Sequence, residues 1–176
     1  MTAKHPTPQR ILVYGVTGSG KSHAATRISE KFGLPLVLAD ELTWQPGWQQ
    51  VEPERQREIF ADLAADERWV FDTAYGIWID QVLPRVDLIV ALDYPRWFSL
   101  QRLCRRTAQR IVTHTPICNG NTESLRMALG KDSIIAWHFR SFSRKRRRIR
   151  AWAADPSAPP MHRFRAPGDL ERWLAP

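Results

Sequence analysis

Acidic residues and cysteine are scarce in this chain. Eighteen Asp and Glu face 26 Lys and Arg, leaving a formal charge of +8. The two cysteines, Cys104 and Cys118, match no metal-ligand spacing and are too few for a disulfide framework. That fits a reducing compartment. No apolar run approaches the ~20 residues of a membrane span. Nothing at the N-terminus has the pattern of a signal peptide. These absences lead us to expect a cytoplasmic protein without a membrane partner. No internal repeat and no interdomain linker is visible. The 176 residues, 43% of them hydrophobic, suffice for one α/β domain. We expect a disordered lead-in over residues 1–9, rich in Pro and Thr, and a single domain over 10–176.

The positive charge is clustered. One group is Arg102, Arg105, Arg106 and Arg110; the other is Arg140, Arg144, Lys145, Arg146, Arg147, Arg148 and Arg150. Such runs suit a polyanion such as a nucleoside triphosphate, a phosphorylated substrate or a nucleic acid, or they form a solvated helix face.

Short apolar runs alternate with helical periodicity. Strands are expected at 10–14, 35–39, 69–72, 87–92 and near 162–165. Helices are expected at 21–32, stopped by Gly33, and at 53–65, 95–110, 132–152 and 167–174. Alternation of this kind means a parallel sheet covered on both faces. Between about 111 and 131 the pattern fails, and Pro116, Asn119, Gly120, Asn121 and Gly130 mark a lid insertion.

Gly15-Val16-Thr17-Gly18-Ser19-Gly20-Lys21-Ser22 satisfies G-x-x-x-x-G-K-[ST]. It follows an expected strand and opens an expected helix, the context that makes it a phosphate loop. Gly15, Gly18 and Gly20 let the backbone turn its N–H groups inward, with Thr17 and Ser19 lending theirs. The helix N-terminus adds partial positive charge. Lys21 would reach the β- and γ-phosphates of ATP, and Ser22 would offer its hydroxyl to Mg²⁺. The expected fold class is therefore a three-layer P-loop NTPase: a five-stranded parallel sheet flanked by helices, with a lid insertion.

Ligands of open α/β sheets lie beyond the carboxyl ends of the strands. Asp40, Asp72 and Asp93 each close an expected strand. Asp72, after Trp69-Val70-Phe71, has the setting of a Walker B carboxylate on the Mg²⁺ side. Asp93 competes for that role, or caps the helix after Tyr94-Pro95. Asp40 would bind an acceptor hydroxyl or take its proton, or else cap a helix. Trp44 and Trp48 flank Pro46-Gly47, lining an acceptor pocket or simply packing their loop.

These residues then form a recognisable series. After the P-loop come Asp40-x-x-x-Trp44-x-Pro46-Gly47-Trp48, Trp69-Val70-Phe71-Asp72-x-x-Tyr75-Gly76, and Leu92-Asp93-x-Pro95-Arg96. Over roughly residues 10–150 the series resembles the adenylate-kinase-like group of topology modulation proteins. More distantly it is similar to adenylate, shikimate and gluconate kinases. The resemblance implies an acceptor region after the second strand and a mobile lid after the fourth. By their spacing from Asp93, it places Arg102 near the nucleotide base and Arg106 near the phosphates, one helical turn apart. Arg110, Arg140 and Arg144 become candidates for the lid arginines that meet the transferring phosphoryl group. Two departures stand out. Thr73-Ala74 replaces the usual Gly-Asn. No acceptor-site arginine follows the second strand directly; Gln49 and Gln50 come first and Arg55 later. Cys118-Asn119-Gly120-Asn121, with Glu123 and Ser124, forms a polar cluster in the lid that suits a tight turn, with Glu123 available to pair with a lid arginine.

We expect an ATP-dependent small-molecule phosphotransferase using ATP and Mg²⁺, acting on a nucleotide or another hydroxyl- or phosphate-bearing metabolite. Lys21, Asp40, Arg102 and Arg106 would be catalytic. The alternatives are a nucleic-acid-binding P-loop protein, with Arg140–Arg150 tracking a phosphate backbone beside Trp137 and Trp152, and an ATPase switch without a small acceptor. The distal run Arg146-Arg147-Arg148 is expected on the solvated side of its helix.

Overall fold

A computed structural model describes residues 7–175 of the chain. Most of the expected lead-in, residues 1–6, lies outside the described residues. Gln9 donates its backbone N–H to Asp87.

Strand β1 (Arg10–Gly15) is apolar and buried, as a central parallel strand must be. It runs into the phosphate loop and helix α1 (Lys21–Phe32). Gly33 ends α1 at φ 62°, its N–H returning to the Ser29 carbonyl, a conformation that favours glycine. Strand β2 (Leu36–Val37) is followed by the short helix α2 (Ala39–Thr43) and by strands β3 (Trp44–Gln45) and β4 (Gln49–Gln50). The second strand is shorter than expected because an Asp72 carboxylate oxygen accepts the Ala39 N–H at 2.9 Å, and the chain turns there into α2. Helix α3 (Pro53–Ala65) has proline in its first turn, where no N–H is needed.

Strand β5 (Trp69–Phe71), helix α4 (Ile79–Val82), a 3₁₀ turn at Leu83–Arg85 and strand β6 (Leu88–Leu92) complete the next crossover. Helix α5 (Arg96–Thr113) extends past the expected end at Arg110, and His114 closes it at φ 50°. The lid region holds a bridge between Ile117 and Asn121 and the short helix α6 (Leu125–Leu129). Helix α7 (Ile134–Ala154), strand β7 (Met161–Phe164) and helix α8 (Pro167–Leu174) follow.

The five-stranded sheet has the order β2-β5-β1-β6-β7, and all its pairings are parallel. β3 and β4 form a separate antiparallel hairpin that periodicity did not announce. Two buried layers cover the sheet. Ile11, Val13, Val70, Val90 and Leu92 pack against α1 and α8. Leu12, Tyr14, Phe71, Ile89 and Ala91 pack against α3, α4 and α7. Alternate β1 residues thus serve opposite faces. Both layers end where β1 enters the phosphate loop. Among the described residues no helix is long and apolar enough to cross a membrane.

Candidate functional site

The phosphate loop is shaped by close backbone packing. Gly20 has φ +90°, and a Cβ there would lie 3.1 Å from Arg102 Nη2. Gly18 has φ +82°, and a Cβ there would collide with the Ser99 carbonyl of α5. Only glycine meets both demands. Ser19 turns back on the loop, its hydroxyl donating to the Val16 carbonyl at 2.8 Å. Lys21 Nζ donates to the same carbonyl at 3.2 Å. Burial lowers the Lys21 pKa, opposed by Asp72 and Asp40 and reinforced by Arg106. Lys21, Asp40, Asp72 and Arg106 therefore act electrostatically on one small space.

The Ser22 hydroxyl donates to Asp72 Oδ2 at 2.7 Å. Asp72 is buried at the end of β5. Burial raises its pKa, while Ser22, the Ala39 N–H and Lys21 pull it back. Ser22 Oγ and Asp72 Oδ2 are hard oxygen donors side by side. They fit Mg²⁺, which takes few protein ligands and completes its shell with water and phosphate.

Asp40 lies in α2 at the mouth of the crevice, exposed, and accepts a hydrogen bond from the Tyr75 hydroxyl. Burial raises the Tyr75 pKa, with Asp40 adding to the effect, so Tyr75 stays the donor. Arg102 sits over Gly20, with its guanidinium 5.5 Å from the Phe98 ring centre. Arg106, one turn on, has its pKa lowered by burial and by Arg110, with Glu123 and Asp40 opposing. Gly15, Thr17, Gly18, Ser19, Gly20, Lys21 and Ser22 thus line one side, and Arg102 and Arg106 overhang it.

Two expectations need correction. Asp93 neither competes for a metal nor caps a helix. Its fully buried carboxylate is held by Arg146 Nε at 2.6 Å and Arg163 Nη2 at 2.5 Å. Burial alone would raise its pKa, but the two arginines hold the carboxyl below its usual range. Arg146 is accordingly not on the solvated side of α7. Arg148 is half-buried and donates to the Tyr14 hydroxyl at 3.4 Å, leaving Arg147 as the exposed member of that run.

Of the lid arginines, Arg110 pairs with Glu123 at 3.5 Å, while Arg140 reaches out to the Lys131 carbonyl and Asp132. Arg144 lies over the Trp137 ring. The lid's asparagines make more than a turn. Asn119 donates to the carbonyls of Glu41 and Trp44, and Asn121 to that of Gln45. Asn121 Oδ1 accepts the Trp48 N–H at 2.9 Å, and the Trp48 indole donates to the Thr122 carbonyl. Trp44 and Trp48 meet edge to face at 5.9 Å. The tryptophan hairpin is thereby fastened to the lid.

Sequence reasoning missed two residues of α7. His138 is fully buried, and its Nδ1 lies 2.9 Å from the Thr17 carbonyl, bracing the phosphate loop. Lys145 is buried with its ammonium 5.9 Å from the Tyr14 ring centre. A helical spacing of apolar residues marked the buried face of α7, but a lone His and one Lys in a basic run carried no signal of their own.

No family model matches the chain. It is 28% identical over 104 residues to the uncharacterized protein YqaC of Bacillus subtilis (strain 168), a match covering 58% of each chain. It is 36% identical over 85 residues to a tRNA dimethylallyltransferase of Ruegeria sp. (strain TM1040), covering 46% of this chain and 30% of that one. The matches thus span just over half and under a third of these relatives. Among solved structures, a gluconokinase from Sinorhizobium meliloti 1021 superimposes with a TM-score of 0.55 at 17% identity, covering 95% of this chain and 89% of its own. A shikimate kinase from Acinetobacter baumannii in complex with shikimate gives 0.58 at 13% identity, covering 96% and 92%. Strand order, phosphate loop and both superpositions agree that the chain has the P-loop kinase fold.

Proposed function

We propose that this chain is an ATP-dependent kinase that transfers the γ-phosphoryl group of ATP to a small-molecule acceptor. The observation that carries the reading is the convergence of Lys21, the Ser22–Asp72 pair and Asp40 on one crevice overhung by Arg106. The kinase neighbours of like fold support it, as does the resemblance to the adenylate-kinase-like topology modulation group.

Phosphoryl transfer asks for positioning and charge more than covalent chemistry. The loop N–H groups and Lys21 would hold the β- and γ-phosphates. Mg²⁺, held through Ser22 and Asp72, would neutralise charge between those phosphates. Asp40, oriented by Tyr75, would accept the proton of the acceptor oxygen as that oxygen bonds to the γ-phosphorus. The bond to the bridging oxygen then breaks and ADP leaves. Arg106 would stabilise charge on the transferring group, and Arg102 would face the base.

The test is ATP binding, then ADP release against pools of small metabolites. Wild-type chain should release ADP faster with at least one pool, and Lys21→Ala should lose ATP binding while remaining folded. Unchanged ATP affinity in Lys21→Ala would overturn the proposal.

A second reading has one specific support: a tRNA dimethylallyltransferase is among the relatives, and α7 presents Arg140, Arg144, Arg147 and Arg150 on its exposed side. A nucleic acid lying there would bind with an affinity that falls steeply with salt. Metabolite-stimulated ADP release distinguishes the kinase from this reading, and from an ATPase switch without a small acceptor.

A further inference from the structure

Helices α5 and α7 hold no acidic residue. Over its 18 residues α5 carries five arginines, and over its 21 residues α7 carries six arginines and Lys145. Arg96, Arg147 and Arg150 belong neither to the crevice nor to the Asp93 pair. All three are exposed, and among the described residues none of them enters an ion pair. Arg147 and Arg150 are neighbours on the helix surface, where like charges repel.

These cations share one flank of the molecule. Arg147 and Arg150, with Phe142, Ser143 and Arg146, line a pocket of about 270 Å³. The carboxylate nearest to Arg146 is Asp93, which is fully buried and also held by Arg163, so it offsets nothing at the surface. Arg96 reaches over from α5. It donates to Ser143 Oγ at 3.4 Å, and its guanidinium lies 4.5 Å from the Phe142 ring centre and 5.8 Å from that of Phe139. Two large rings stand in water beside it: Trp97, the next residue, is 67% exposed, and Phe139 is 49% exposed.

This flank is not the crevice. Arg102, which overhangs the phosphate loop, lies six residues after Arg96 and hence roughly 120° away around α5. On α7, His138 and Lys145 are buried, whereas Phe139, Ser143, Arg147 and Arg150 recur every three or four residues along an exposed stripe.

We propose that the flank formed by the start of α5 and this stripe of α7 binds single-stranded nucleic acid. Arg147 and Arg150 take backbone phosphates at the pocket, Arg96 takes a third, and bases stack on Trp97 and Phe139. The planar guanidinium matches phosphate oxygens with paired donors. Exposed rings among arginines favour a single strand, because a duplex keeps its base faces stacked inside. The inference rests on the nucleic-acid reading and deepens it: it names the form of the strand and moves its place to the Arg96 side of α7. It leaves the crevice free, so it adds to the kinase reading.

Binding to the full chain is read by fluorescence anisotropy. The probes are a labelled oligothymidylate of about 15 nucleotides and a duplex of equal length. The single strand should bind at least about tenfold more tightly than the duplex. Between ~50 and ~200 mM salt, log affinity should fall against log salt with a slope of about −2, from three phosphate contacts at ~0.7 each. Joint Arg147→Glu and Arg150→Glu substitution should at least halve that slope. Trp97→Ala and Phe139→Ala should each weaken binding roughly tenfold at unchanged slope, because a stacked base carries no charge. Melting curves check that these exposed substitutions leave the fold intact.

Tighter binding of the duplex, or wild-type affinity in both ring variants, overturns the proposal. If Arg140→Glu and Arg144→Glu remove binding while the Arg147 and Arg150 changes do not, the nucleic-acid reading stands and this site falls. If neither probe binds, both fall. The wild-type chain supplies an independent measurement. A strand carrying 4-thiothymidine should photo-crosslink to peptides containing Trp97 or Phe139. A saturating non-hydrolysable ATP analogue with Mg²⁺ should leave strand affinity within about twofold. Crosslinks confined to the phosphate loop, or a strand displaced by the analogue, place the strand in the crevice and also overturn the proposal.

Discussion

Ser22 and Asp72 stand fifty residues apart in the chain and share a hydrogen bond of 2.7 Å. One comes from the first turn of α1 and the other from the tip of β5, so the bond joins the phosphate loop to the adjoining strand. Burial raises the Asp72 pKa. The folded state therefore favours the protonated form, and the ionised group at neutral pH is a cost to stability that disappears on acidification. Asp72→Asn should raise unfolding stability at pH 7, a gain that shrinks as pH falls toward 4. The same variant should lose Mg²⁺-dependent nucleotide affinity. Denaturant titrations at several pH values, with nucleotide binding with and without Mg²⁺, check both effects. Loss of stability together with unchanged Mg²⁺ dependence would contradict the assignment.

The arginines separate by partner, not by position in the chain. Arg146→Glu should destabilise the fold by roughly 3–5 kcal/mol, because it places a carboxylate beside buried Asp93 and removes one of its cations. Arg147→Glu, on the exposed neighbour, should change stability by no more than about 0.5 kcal/mol. Arg102→Lys and Arg106→Lys should leave the fold intact and weaken ATP handling by roughly 1–3 kcal/mol, since lysine lacks the planar fork. Thermal melts beside ATP titrations of the four variants read this contrast directly.

The lid clasp predicts a local effect. Asn121→Ala removes the acceptor of the Trp48 N–H and the donor to the Gln45 carbonyl. The hairpin should open without global unfolding, with hydrogen exchange at Trp48 faster by roughly one to two orders of magnitude for a loss of ~1–3 kcal/mol. Tryptophan fluorescence should shift in the same variant. Unchanged exchange at Trp48 would show that other contacts hold the hairpin.

Lys145 makes stability depend on alkaline pH. Its pKa falls from 10.5 to about 7 on folding. Between these values the unfolded chain holds a proton that the folded chain lacks, so stability rises with pH across that window. One such group contributes a slope approaching ~1.4 kcal/mol per pH unit. Lys21, also lowered, adds in the same direction. Lys145→Met should flatten the rise by one proton's worth between pH 7.5 and 9.5 in urea unfolding. An identical slope in wild type and variant would mean that Lys145 stays charged in the folded state.

Much of the fold was legible beforehand. Helices α1, α3 and α8 lie where periodicity, Pro53 and Gly33 put them, because caps, breakers and an apolar stripe act within a few residues. The parallel sheet followed from short apolar strands alternating with helices, and the phosphate loop from a contiguous motif. Asp93 shows where such reading stops. Its strand-end position resembled that of Asp72, yet its partners are 53 and 70 residues away, on α7 and β7. Tertiary structure alone decided that Asp72 meets a phosphate-loop hydroxyl while Asp93 is neutralised by two arginines. It also turned Lys145 inward from a run of charges whose neighbours Arg144 and Arg147 face water, and brought His138 to a carbonyl 121 residues earlier. Local sequence sets which face of a helix is apolar. The charge a buried polar residue meets there depends on which distant strand end the sheet brings beneath it.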